Sequence, residues 1–345
     1  MLQQEKPQAL QNTPAQAAML QMITGSWLAR SIYAAAKLGI ADLLKESPKS
    51  CEELANAVFV RPKPLYRLLR ALASVGVFAE EQQGYFTLTP LATCLISDRP
   101  GSLRSLAMML GSTEFHQAWG DILYSLQTEK SAFEHLYGMS LFQYYTQNAE
   151  TARIFDEAMT AFSTTEIAGV IANYDFSKIH KLVDIGGGQG LLIASILKAY
   201  PAMEGILFDL PSVIASSKNF IEIEEIKDRC SVVEGNFFEL VPSGGDAYIL
   251  KRIVHDWDDE SAVAILNNCH CAMQEKGKLL LVEMVIPPGN EPFFGKFLDL
   301  ELMTVFGGRE RTEKEYRELL EAAGFQLTGI IPTGSYVSVI EGVKM

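Results

Sequence analysis

The sequence predicts an α/β protein, with a mostly helical N-terminal half followed by a parallel sheet and its crossover helices. Three observations predict it. Up to about Ala172, apolar residues recur at spacings of three and four, the period of an amphipathic helix. After His180, short β-rich runs alternate with helical stretches, the order that builds a parallel sheet. The charge changes at the same place: residues 1–160 hold 13 basic and 15 acidic residues, net −2, whereas residues 161–345 hold 16 and 27, net −11.

The 345 residues suit two domains, each long enough to bury its own core. We expect a helical domain over residues 1–165 and an α/β domain over residues 166–345. An apolar fraction of 48% excludes a disordered chain, and the 26 Gly and 14 Pro show no repeat period. The net charge of −13 disfavours nonspecific nucleic-acid binding, because a polyanion would be repelled. Met1–Gln16 is polar and lacks the basic and apolar regions of a secretory signal. No run of 18 apolar residues is present, so no bilayer span and a cytoplasmic location are expected. Cys51, Cys94, Cys230, Cys269 and Cys271 contain no C-x-x-C pair and read as free thiols. His116, His135, His180 and His270 share no ligand spacing, so no metal is expected.

Within the first half, residues 45–95 read as a winged helix. Ser50-Cys51-Glu52-Glu53 starts a short capped helix. Pro62–Val75 follows, with Leu65, Leu68, Leu69 and Leu72 on one face. Gly76–Phe78 and Tyr85–Leu88, joined across Gln82-Gln83-Gly84, then form a hairpin. Arg61, Lys63, Arg67 and Arg70 raise a DNA-reading role. Across residues 50–95, Glu52, Glu53, Glu80 and Glu81 cancel them, which favours an architectural or dimer-forming role.

In the second half, seven strands are expected: Leu182–Ile185, Gly205–Phe208, Ser231–Val233, Ala247–Leu250, Lys278–Glu283, Phe325–Ile331 and Ser335–Glu341. Only Pro332-Thr333-Gly334 joins the last two, so they form an antiparallel hairpin at the sheet edge. The most informative stretch is Asp184-Ile185-Gly186-Gly187-Gly188-Gln189-Gly190, between a strand and the Leu191–Ala199 helix. Its glycines allow a tight turn and close approach of a ligand to the main chain. It is not the dinucleotide fingerprint, because Leu191 stands where the last glycine belongs, and it lacks a P-loop's Gly-Lys-Ser/Thr. An acid two residues before the first glycine would repel a pyrophosphate and suit a ligand bearing an ammonium or sulfonium. Asp209 ends the next strand, where a carboxylate can accept from both ribose hydroxyls.

On these residues, together with Phe208-Asp209-Leu210-Pro211, Gly235-Asn236-Phe237-Phe238, Leu250–Trp257 and Gly307–Thr312, the chain resembles the S-adenosylmethionine-dependent small-molecule O-methyltransferases. These include the plant caffeate and hydroxyindole enzymes and bacterial tailoring relatives. The resemblance runs from about Gln21 to Val343. It implies a Rossmann-like seven-stranded methyltransferase domain, preceded by a mostly helical winged-helix dimerisation domain through which the chain forms a homodimer. It assigns Gly186, Gly188 and Gly190 to the methionine end of S-adenosyl-L-methionine and Asp209 to the ribose, with Asp184 and Leu210 also among the cofactor-binding residues. Asn236 and Phe237 would border the adenine, and Lys251 and Ser163 would complete the cofactor shell. The family usually has Asp where Asn236 stands, and plant members commonly have Trp where Arg252 stands.

His255 matches the family's general base, and Glu283 and Glu310 match the acids that orient base or substrate. An imidazole suits this task, since a neutral His can take a phenol's proton as the C–O bond forms. Asp256 is read as site support or as a helix cap. Met159, Phe162 and Met303 match positions that touch the acceptor, and Met and aromatic side chains suit a flat apolar ligand. The expected activity is O-methylation of a hydroxylated aromatic or polyketide-like metabolite. The rivals are N- or C-methylation, or non-methylating use of the cofactor, on the same fold. A more distant rival is a winged-helix regulator sensing a nucleoside-like ligand.

Overall fold

The computed structural model describes residues 14–214 and 226–345. Of the polar N-terminal stretch, only residues 14–16 fall among them. The chain divides into two compact units, one of residues 1–120 and 139–162, the other of residues 121–138 and 163–345. The units meet in sequence at Phe162/Ser163, and residues 121–138 group with the second unit.

The first unit is built on the winged-helix pattern. Ser50 caps the Cys51–Ala57 helix with a reciprocal pair: its hydroxyl accepts the Glu53 N–H, and Glu53 accepts the Ser50 N–H at 2.7 Å. Such a box stabilises a short helix by about 1 kcal/mol. Pro62 opens the Pro62–Ala73 helix, where it costs no hydrogen bond; Leu65, Leu69 and Leu72 are buried and Lys63, Arg67 and Arg70 are exposed. The wing is a three-stranded sheet of β1 (Lys49–Ser50), β2 (Phe78–Gln82) and β3 (Tyr85–Leu88), with β3 central. Gly76 and Val77, expected in the first hairpin strand, instead close the preceding helix, with Gly76 at φ 79° and Val77 bonded back to Leu72.

The second unit holds a seven-stranded sheet, which we number in chain order β4 (Lys181–Ile185), β5 (Glu204–Asp209), β6 (Cys230–Glu234), β7 (Ala247–Lys251) and β8 (Lys278–Glu283). Two short strands follow, β9 (Val285–Ile286) and β10 (Arg311–Thr312), which pair with each other. β11 (Phe325–Pro332) and β12 (Ser338–Lys344) complete the large sheet in the order β11-β12-β8-β7-β4-β5-β6. β6 through β8 are parallel neighbours, and β12 and β11 run antiparallel at one edge, as the short connection requires. The last strand starts three residues later than expected. Thr333 Oγ1 takes the Ser335 hydroxyl and the Val337 carbonyl as partners, which keeps Thr333–Val337 as a turn.

Apolar side chains pack on both faces of the sheet. Leu182, Leu207, Ile249 and Val282 belong to one core, and Val183, Phe208, Leu250 and Leu281 to the other. Burial on both faces explains why these strands read as continuous apolar runs. The chain leaves β4 for β5 and β6 on one side, then returns to place β7 on the other. The order therefore reverses between β4 and β7, and ligands of such sheets bind beyond the carboxyl ends at that reversal. Among the described residues, no helix is long and apolar enough to cross a membrane.

Candidate active site

The glycine loop leaves β4 at this reversal. Gly186, Gly188 and Gly190 have φ of 66°, 61° and 85°, a region that L side chains rarely adopt. Gly187, which the sequence reading passed over, is needed for space. A Cβ there would lie 2.4 Å from Leu207 and 2.7 Å from the Asp184 carboxylate. At Gly188 a Cβ would meet nothing within 4 Å, so the main chain is open to a ligand.

Asp184 is buried at 1% exposure, and neither carboxylate oxygen has a hydrogen-bond partner. Burial pushes its pKa up to about 7, and Lys251 offsets part of that rise. A buried carboxylate without donors is costly unless a bound group satisfies it. Asp209, at the end of β5, accepts from Gly188 N–H at 2.8 Å and from Leu210 N–H at 2.7 Å, one bond to each oxygen. Each oxygen keeps a lone pair for a hydroxyl. Leu210 itself is exposed.

Beyond β6, Asn236 Oδ1 accepts the Phe238 N–H at 3.0 Å, which turns the chain so that the Phe237 ring lies beside Gly186. The side chain read as an adenine partner therefore also shapes its own loop. Lys251 ends β7 and donates to Ser163 Oγ at 2.8 Å, with Glu166 Oε2 at 3.6 Å. These residues fit a cationic nucleoside: an orphaned acid, an open glycine backbone, a strand-end acid and an aromatic ring lie at the same sheet edge.

The loop after β7 carries the second cluster. His255 is buried, with Nδ1 3.0 Å from Glu310 Oε1 and 3.8 Å from Glu283 Oε2, and Nε2 3.5 Å from Asp256 Oδ1. Glu283 ends β8 and accepts the Ile253 and Val254 N–H groups at 3.1 and 2.9 Å, fixing the loop that bears the histidine. The His255 carbonyl accepts the Arg309 N–H at 2.8 Å. A Cβ on Gly308 would come within 2.1 Å of that carbonyl, so only glycine allows the approach. Burial pushes Glu310 up to about 7, against Arg252, and raises Glu283 as well. Asp258, not Asp256, caps the Asp259–Ala272 helix by accepting the Ser261 N–H at 2.8 Å. Asp256 is thereby left to the site, and burial raises it to about 6.

Three participants were not recognised from sequence. Arg311 is fully buried and donates to the Val254 and Trp257 carbonyls at 3.0 and 2.9 Å while gripping Asp259. It pins both ends of the His255 turn. Glu166 pairs with Arg252, whose Nη2 donates at 2.6 Å. Arg252 stands where plant members commonly have Trp, and its guanidinium faces Glu166 and Glu310. The His255, Glu283 and Glu310 ligand atoms lie within 4.8 Å of one another, a spacing that could serve a metal. The guanidinium 3.6 Å from Glu310 already supplies positive charge there.

The acceptor residues divide. Met303 lies in a π turn over Leu302–Phe306 and is half-buried in the sheet unit. Met159 and Phe162 lie on the Ala149–Asn173 helix, in the part that belongs to the helical unit.

Comparison with known proteins identifies the family. Residues 119–326 match the family model of an O-methyltransferase domain, and residues 20–98 that of an O-methyltransferase dimerisation domain. The chain is 44% identical to the phenazine O-methyltransferase PhzM of Lysobacter antibioticus, over 95% of this chain and 96% of that protein. It is 34% identical to the 8-amino-8-demethylriboflavin N,N-dimethyltransferase of Streptomyces davaonensis, over 90% of each. The crystal structure of LaPhzM superposes with a TM-score of 0.92 at 44% identity, over 96% of this chain and all of that one. NcsB1 from neocarzinostatin biosynthesis, solved with S-adenosyl-L-homocysteine and 1,4-dihydroxy-2-naphthoic acid, gives 0.81 at 30% identity, over 92% and 96%. The chain belongs to the O-methyltransferase family whose members join a dimerisation domain to a methyltransferase domain, and it is an S-adenosyl-L-methionine-dependent enzyme of that family.

Proposed function

We propose that the enzyme methylates a phenolic hydroxyl of a flat aromatic metabolite, with His255 as the general base. The observation that carries this reading is the environment of His255. Nδ1–H donation to Glu310 would leave the Nε2 lone pair at the carboxyl edge of the sheet, beside Asp256. S-adenosyl-L-methionine, when bound, supplies an electrophilic methyl on a sulfonium. Gly186, Gly188 and Gly190 would bear its methionine end, Asp184 and Lys251 with Ser163 its charged groups, Asp209 and Leu210 its ribose, and Asn236 with Phe237 its adenine. His255 Nε2 would take the hydroxyl proton, and Glu310 and Glu283 would hold the ring as the imidazolium forms. Asp256 and Met303 would line the acceptor, and Met159 and Phe162 are the positions that the resemblance assigns to it.

We further propose a homodimer joined through the N-terminal domain, acting in the cytoplasm. Met19, Leu20, Met22, Ile23 and Trp27 are all more than half exposed near the start of the first unit, which supports such a face. The relative named for phenazine O-methylation favours a fused-ring phenol; the relative named as an N,N-dimethyltransferase favours the second reading, methylation of an aryl amine. The test uses methyl-labelled cofactor with 1-hydroxyphenazine and with an aryl amine of similar size. The account expects label on oxygen; label on nitrogen alone would replace it with the second reading.

A further inference from the structure

Arg252 is a half-buried cation that the methyl-transfer chemistry does not itself call for. Its backbone has φ 59°, a conformation that costs a non-glycine residue about 1 kcal/mol or more. The strained position turns the side chain toward two acids from different elements. Nε and Nη2 donate to Glu166 Oε1 at 3.2 and 2.6 Å, and Nη1 lies 3.6 Å from Glu310 Oε1, the oxygen facing His255 Nδ1. The other Glu166 oxygen has no hydrogen-bond partner and lies 3.6 Å from Lys251. A continuous line of charge thus runs from Ser163 and Lys251 through Glu166, Arg252 and Glu310 to His255.

We propose that Arg252 is a positioning residue, shared between Glu166 and Glu310, that draws Glu310 toward its ionised form against His255 Nδ1 and so reserves Nε2 for the acceptor proton. Without a nearby cation, a carboxyl as buried as Glu310 favours its neutral form, which can no longer serve as the charged acceptor that holds Nδ1–H. Glu166 sets how much of the guanidinium's charge Glu310 receives. Burial draws the Glu166 pKa upward, but Arg252 and Lys251 outweigh it and keep the group ionised. Removing Arg252 and removing the Glu166 charge should therefore act in opposite directions on the base.

The other charged groups around the pair are fixed in both changes. Glu310 faces Asp299 and Arg311 besides Arg252 and Glu166, and Glu283 and Asp256 face His255. Tyr316, from the following helix, is fully buried, and Glu283 and Glu310 add to the effect of burial in holding it neutral.

The inference rests on His255 as the base, so its test is read without acceptor and is independent of turnover. The full chain carrying 15N-labelled histidine is titrated, and the ring signals of His255 are assigned by their loss in His255→Gln. Arg252→Met should raise the midpoint of the coupled His255–Glu310 titration by about one pH unit or more. Glu166→Gln should lower it, because Arg252 is then left wholly to Glu310. Any other pattern in folded protein overturns the proposal. Should Arg252→Met fail to fold, Glu166→Gln decides alone: a fall supports it, and no change or a rise overturns it. Loss of methyl transfer in His255→Gln is measured separately, so a failure of the base assignment is distinguishable from a failure of this inference.

Discussion

The proposed cofactor side and the proposed base side of this site lie at the same sheet edge and are built differently. On the cofactor side, polarity is left open: Asp184 is buried without a hydrogen bond, and Gly188 presents bare main chain. On the base side, most groups are paired within the protein, although one oxygen each of Glu166, Glu283 and Glu310 has no hydrogen-bond partner. His255 has carboxylates at both ring nitrogens, Glu283 holds two amides, and Arg252 and Arg311 stand among the acids. The difference teaches that burial can serve two ends. An acid with neither oxygen bonded favours a ligand that supplies the missing partner, whereas acids each held through one oxygen fix the orientation of the groups they bond.

This contrast can be broken from the base side first. Glu310→Gln keeps the shape but removes the charged acceptor for Nδ1–H, so turnover should fall by roughly 10²-fold while cofactor affinity holds. Steady-state kinetics paired with calorimetry would separate the two effects, and a loss confined to affinity would contradict the division. On the other side, Asp209→Ala should weaken S-adenosyl-L-methionine binding by roughly 10- to 100-fold, the size of a lost charge-assisted hydrogen bond. Equal affinity would remove the ribose assignment.

The smallest effect concerns stability. Asp184 titrates near 7 in the folded chain, far above its value when unfolded, so the folded state holds a proton that the unfolded state has released. Stability from this group is therefore lost as pH rises from about 4 to 7. Glu310 and Asp256 act in the same direction, with folded values of about 7 and about 6. In Asp184→Asn, the decline of the thermal midpoint between pH 5 and 7.5 should be shallower than in the parent, measured without cofactor. An unchanged slope would mean that Asp184 is ionised throughout.

Much of the scaffold was legible because it rests on local patterns. The strand runs are apolar on both faces, and Ser50 with Glu53 spells its own cap. The glycine loop was legible through Asp184 and three glycines, although Gly187 needed the structure, since its neighbour Leu207 is remote in sequence. The resemblance named His255, Glu283 and Glu310, which the fold brings together, and their roles as base and orienting acids are proposals. Glu166, Arg252 and Arg311 were not, because their meaning comes from pairings across 86 and 52 or more residues. The turn before β12 was misplaced for a similar reason, since the Thr333 hydroxyl decides it and periodicity does not register that.

The central claim is that the two sides are separable, one holding the cofactor and the other moving the proton. His255→Gln tests it most directly, with S-adenosyl-L-methionine affinity by calorimetry and methyl transfer to 1-hydroxyphenazine measured on the same preparation. The account predicts affinity near that of the parent and turnover lower by roughly 10²–10⁴-fold. Unchanged turnover, or a loss explained by affinity alone, would contradict it.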